Sequence, residues 1–238
     1  MTLRETCAQR RLWFAERLAV YARRISLLRP SLTAGFVSDL RRLNDALRGT
    51  DLHGCYWMWG GLLLGWAREG TVLPHDSMDA DFAVLDRDFW RLVEAVLAIE
   101  KAGFRRYRRF LNNDGEVTEV AFMRHGARFE FFRMFPDDAR LKYFLYGSEN
   151  GKPIELQASQ PNQPTTSFDF IGRTWLKHED HELELRSIYG SWEIPDSSWS
   201  FLNGFDIETK SSWLRSDWWW RSGAAALAGE RPIAPDLI

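Results

Sequence analysis

The chain has 238 residues, a formal net charge of -2 and 45% hydrophobic residues, which suits one large domain, or one domain with a helical appendage, and allows a full core. The near-zero charge excludes a general polyanion binder, so nucleic acid is not an expected partner. The two cysteines, Cys7 and Cys55, exclude a disulfide framework or a cysteine-rich zinc site and point to a reducing cytoplasm.

The elements follow in order. Residues 2–28 read as an amphipathic helix, with Cys7, Phe14, Tyr21 and Leu28 recurring every heptad and Leu18 and Ile25 on the same side. Arg4, Glu5, Arg10 and Arg11 interrupt its start, so it lacks the apolar stretch of a signal peptide. No uncharged apolar run approaches the ~20 residues that span a bilayer. A soluble protein, at most peripheral to a membrane, is expected. The basic flank of Arg10, Arg11, Arg17, Arg23 and Arg24 suits a membrane surface or self-association, or a helical hairpin packed on the main domain. Pro30 ends this run, and Ser31 is placed to cap a second helix bearing Phe36, Val37, Leu40, Leu43 and Leu47.

After Gly49 the texture changes. Residues 55–59 predict a strand, Gly60-Gly61 a turn, and 62–68 a short helix closed by Gly70. Residues 79–85 predict a strand, with Asp86 capping a helix through Ala102. Strands are expected over 104–111, 117–124 and 128–135, with turns at Asn112-Asn113-Asp114-Gly115 and His125-Gly126. Further strands are expected at 154–157 and 167–171, a helix at 180–189, and a partly helical tail from Trp213. The division is 1–50 as a helical segment, 51–212 as the main domain and 213–238 as an aromatic tail.

The chemistry concentrates between Trp59 and Val84. Side chains alternate along a strand, so Asp79 and Asp81 project to one face while Ala80 points into the layer behind. Two adjacent carboxylates repel unless a cation lies between them, and hard oxygen donors favour magnesium or manganese. Tight glycines before a helix offer N–H groups to a phosphate. Glu130 is the candidate third acid, a lone charge in the aromatic strand Arg128-Phe129-Glu130-Phe131-Phe132; the alternative is an ion pair with Arg106 or Arg133. The Asp pair has its own alternative, a solvated hairpin shoulder.

Other groups leave their readings open. His178 and His181 form half a zinc site or a solvated helix start. Arg105, Arg106, Arg108 and Arg109 guide an anion or form a solvated sheet face. Trp218-Trp219-Trp220, beside Arg215 and Arg221, stack on sugars, meet lipid headgroups or pack on the N-terminal helices. His125 and Ser148 lack partners for a nucleophilic triad.

The run Gly60-Gly61-Leu62-Leu63-Leu64-Gly65-Trp66-Ala67-Arg68, then Val72-Leu73-Pro74-His75-Asp76, then Asp79-Ala80-Asp81, resembles the LicD/fukutin family. The likeness extends to Phe129-Glu130-Phe131-Phe132, to residues 168–172, and to Ile188-Tyr189-Gly190-Ser191-Trp192 followed by Pro195. Leu62 replaces a hydroxyl residue of the family pattern, His75 stands where tryptophan is usual, and the segment before Asp79 is one residue longer. The resemblance implies an α+β, nucleotidyltransferase-like mixed sheet flanked by helices. It implies a transferase that moves a phospho-alcohol, such as phosphocholine or ribitol phosphate, from a CDP-linked donor to a hydroxyl of a glycan or small molecule. By position, Asp79, Asp81 and Glu130 become catalytic metal ligands for Mg2+ or Mn2+, and Gly60, Gly61 and Arg68 the donor-phosphate side. The alternatives are a nucleotidyltransferase placing NMP on a small-molecule hydroxyl, and a non-catalytic binding protein that keeps the fold.

Overall fold

The computed structural model describes residues 29–73 and 78–213. The predicted helix over residues 2–28, the Pro74-His75-Asp76 block and the Trp218-Trp219-Trp220 run lie outside the described residues. Helix α1 (Arg29–Leu47) leads to β1 (Tyr56–Trp59), α2 (Gly60–Glu69), β2 (Asp79–Leu85) and α3 (Phe89–Lys101). Strands β3 (Arg105–Leu111), β4 (Val117–Arg124), β5 (Ala127–Asp137), β6 (Arg140–Glu149) and β7 (Lys152–Pro161) follow in a meander. The hairpin β8 (Thr165–Phe170) and β9 (Arg173–His178), helix α4 (His181–Tyr189) and β10 (Ile207–Ser212) complete the described chain.

The main sheet has eight strands along the path β1-β2-β5-β6-β7-β10, with β4 on the other side of β5 and β3 beyond it. Strand β5 runs parallel to β2 and antiparallel to β4, and its last residues turn to pair with β6. The sheet is therefore mixed and helices flank it, an α+β fold.

Period-two alternation turns one set of side chains of β2, β4 and β5 into a continuous apolar layer, and a second apolar cluster forms around Trp59, Phe132 and Tyr143. Ala80, Phe82 and Val84 of β2, Phe129 and Phe131 of β5, and Val120 and Phe122 of β4 form a buried layer. Leu40, Leu43 and Leu47 of α1 and Ala95, Val96 and Ile99 of α3 cover it. The separate β8–β9 hairpin adds Trp175, which stacks on Phe82 at 5.8 Å. This layer fixes which side chains β2, β4 and β5 present on the opposite face.

Several expectations need correction. Gly60-Gly61 is not a turn: β1 runs straight into α2, and these glycines are its first residues. Ser31 lies inside α1, which the described chain enters at Arg29. Asp86 does not cap α3; it opens a three-residue 3-10 turn, and its carboxylate accepts a 2.6 Å hydrogen bond from Arg133. Strands β6, β9 and β10 had no sequence expectation, and β7 is longer than residues 154–157. The expected strand at 167–171 stops at Phe170, because Ile171 and Gly172 take positive φ in the turn. The helix at 180–189 stands, with Asp180 accepting from the Leu183 N–H as its cap.

Candidate active site

The polar face of the sheet is laid out in rows fixed by strand register. One row runs Trp59, Asp81, Glu130, Ala121, Arg108 across β1, β2, β5, β4 and β3. On one side of it Asp79 stands opposite Arg128. On the other, Ala83, Phe132, Glu119 and Phe110 form a second row. Residues two apart on a strand share a face and sit about 7 Å apart along it. A charged row and a partly aromatic row therefore lie side by side.

Asp79, Asp81 and Glu130 converge: each offers a carboxylate oxygen within 4.8 Å of the others. At an effective dielectric of about 20, charges at such a separation repel by roughly 3–4 kcal/mol per pair. Positive groups answer this. Arg128 pairs with Asp79 and lies 3.6 Å from Glu130, while Arg108 lies 3.5 Å from Glu130. Burial alone would raise the Glu130 pKa, but Arg128 and then Arg108 outweigh it and hold the carboxyl below its ordinary range. Glu130 is thus an ionised acid in the cluster. Its arginine partners are not the expected Arg106 and Arg133, which pair with Glu100 and Asp86.

The glycine motif is explained by contact. A Cβ on Gly60 would lie 2.7 Å from the Asp81 carboxylate, and its φ of +57° disfavours other residues. The start of α2 therefore abuts the acid pair, and no side chain caps that helix terminus. Gly65 meets the backbone of Thr71 and Leu73, where a Cβ would come within 2.7 Å of the Thr71 carbonyl oxygen. That close pass turns the chain toward β2.

These groups line a cavity of about 780 Å³, a size suited to a nucleotide-sized ligand. Asp79, Asp81, Glu130, Gly60 and Gly61 all line it. Arg68 does not. Its guanidinium donates to the Trp192 carbonyl oxygen, Nε at 2.8 Å, and the cations on the cavity wall are Arg108 and Arg128. The basic strand is not a solvated face either: Arg106 and Arg109 are buried, and Arg108 enters the cavity.

His178 is buried at the end of β9, with Nδ1 2.7 Å from the buried Glu184 and its ring against Trp57, so neither a half zinc site nor a solvated helix start describes it. His181 lies against Lys177, and burial followed by that cation lowers its pKa. His125 sits in the β4–β5 turn against Asp39 at 2.9 Å, away from the cavity wall that Ser148 joins.

Glu119 was not foreseen. It lines the cavity, is 5% exposed, and its pKa stands well above the ordinary value because of burial and then the nearby Glu130. The signal that singled out Glu130, one charge in an apolar strand, is also present in Val117-Thr118-Glu119-Val120-Ala121-Phe122. The far wall was missed as well. Tyr189, Trp199, Phe201, Phe205 and Trp213 close it, and a Cβ on Gly147 would strike Phe201.

A family model described as LicD/FKTN/FKRP, nucleotidyltransferase domain, matches residues 54–174. The chain belongs to this LicD family. The match contains the acid cluster, the glycine motif, Glu119 and both cavity arginines, and it ends before Tyr189 and the aromatic wall that follows. The Tyr189-Gly190-Ser191-Trp192 block lies outside it. No curated protein and no solved structure matches the chain. Membership gives a phosphotransferase-like, glycan-modifying transferase role at the level of the LicD family. No helix among the described residues is long and apolar enough to cross a membrane.

Proposed function

We propose that this chain transfers a phospho-alcohol, of the phosphocholine or ribitol phosphate kind, from a CDP-linked donor to a hydroxyl of a glycan or related acceptor. The observation that carries the reading is the convergence of Asp79, Asp81 and Glu130 at the wall of a cavity that the uncapped start of α2 also reaches. Three carboxylates with all-oxygen donors fit Mg2+ or Mn2+ better than zinc. Bound there by Asp79, Asp81 and Glu130, such an ion supplies charge neutralisation to the diphosphate.

The remaining roles belong to the protein. The N–H groups at Gly60 and Gly61 face the donor phosphates. Arg128 and Arg108 are the cations placed to balance charge on the diphosphate, the part first assigned to Arg68. The acceptor oxygen attacks the phosphorus nearer the alcohol; the new O–P bond forms as the bond to CMP breaks, and the hydroxyl proton leaves to a base or to solvent. Glu130, held ionised by two arginines, suits ligation better than proton uptake. Residues 51–212 are the catalytic unit in this reading, with α1 from the 1–50 segment packed on its sheet, Trp213 from the 213–238 segment on its cavity wall, and the reducing cytoplasm as the setting.

Incubation with Mn2+, acceptor and CDP-choline, CDP-ribitol or CDP-glycerol tests this. Acceptor-dependent release of CMP is expected. Pyrophosphate from CTP instead would mark nucleotidyl transfer, and no product with no binding of manganese would mark a non-catalytic protein.

A further inference from the structure

Among the described residues no hydrogen bond or ion pair reaches the carboxyl of Glu119, although it is 5% exposed and lines the cavity. Its oxygens are not sealed from solvent, so the carboxyl opens into the cavity, where water or a ligand takes its hydrogen bonds. The placement is specific. Glu119 stands between Phe132 and Phe110 in the row next to Asp81 and Glu130, about 7 Å along the strands. Tyr146 and Trp213 stand over that end, 4.6 Å apart, and Phe110 stacks on Tyr146 at 5.0 Å. The cavity therefore has a charged end for phosphate and an aromatic end with one polar group in its floor.

We propose that Glu119 is a specificity-determining residue that hydrogen-bonds a hydroxyl on the alcohol portion of the donor. This rests on the transferase reading given above. An alcohol linked to the phosphorus at the acid cluster extends across that distance. The ring faces suit its C–H surface, and the carboxyl suits its O–H groups. An alkylammonium is the weaker match. Phe110, the ring paired with Glu119, already has the Arg108 guanidinium over it at 5.3 Å, and Arg108 and Arg128 place positive charge around the carboxyl. A hydroxylated chain takes both hydrogen-bond roles without bringing a second cation there.

The test is titration calorimetry with Mn2+ present, using CDP, CDP-glycerol, CDP-ribitol and CDP-choline against the wild type, E119A and E119Q. The expected result is that E119A binds CDP-glycerol and CDP-ribitol about tenfold more weakly with CDP unchanged. E119Q, which keeps donor and acceptor atoms, stays within about twofold of wild type. Equal loss for CDP itself would assign Glu119 to the acid cluster and overturn the proposal. Loss confined to CDP-choline would overturn it in favour of an alkylammonium, and no loss in E119A would overturn it outright. A folded wild type that binds none of the four ligands would overturn the transferase reading and this inference with it.

Discussion

The two faces of one sheet obey opposite rules. On β5, Phe129 and Phe131 are fully buried in an aromatic layer beneath α1 and α3. Their neighbours Arg128 and Glu130 belong to a cluster of charges that repel or attract across a few ångströms. The first face gains free energy from every contact and tolerates no gap. The second sets a balance of charges beside an apolar cluster of its own that includes Trp59, Phe132 and Tyr143, and the strand register it shares with the first fixes its geometry. Stability and chemistry are thus separated by a single residue step along a strand.

Substitutions on the two faces should therefore give opposite readouts. The largest effect is expected from Asp81→Asn or Asp79→Asn: turnover falls by about 10³-fold, because ligands of the charge-stabilising site are lost. For Asp81→Asn the melting temperature should hold or rise, since one repelling carboxylate is gone, whereas Asp79→Asn also loses its Arg128 ion pair and should fall slightly. In both, the stabilisation by Mn2+ in a thermal-shift assay should vanish. A variant that unfolds instead would place the aspartates in the structural class. Next is Phe131→Ala, expected to cost about 3–5 kcal/mol in urea unfolding, with kcat per folded molecule little changed.

Gly60→Ala joins the two faces. The positive φ alone costs about 1–2 kcal/mol, and the new methyl presses on Asp81, so activity should fall more than stability does. If activity and stability fall together, the contact with Asp81 has no separate role. The smallest effect concerns pH. Glu119 keeps its proton to higher pH when folded than when unfolded, so stability should decline as pH rises above the ordinary carboxyl value of 4.5. E119Q should remove that slope in denaturant titrations, and an unchanged slope would assign it to other groups.

Much of the layout of the candidate site was legible because its signals are local. Strand alternation placed Asp79 and Asp81 on one face and Ala80 behind them, and β2 has the expected ends. A lone acid in an aromatic strand pointed to Glu130, and the same rule applied evenly would have found Glu119. Arg68 misled because a cation near a glycine motif in sequence carries no information on which way its helix turns it. His178 misled for a similar reason: its neighbours in sequence are polar, while its neighbours in space are Trp57 and Glu184.

What the amino-acid order determined by itself is the set of short-range facts: which residues form β2, β4 and α4, which faces of those strands are apolar, and which glycines the family motif requires. Register across the sheet was decided only by the tertiary structure. It aligned Trp59, Asp81, Glu130, Ala121 and Arg108 in one row and curled β6, β7 and the segment around Trp199 over them. The physical reason is that hydrophobic periodicity fixes the face a side chain takes, whereas its partners across strands depend on how the whole apolar layer packs.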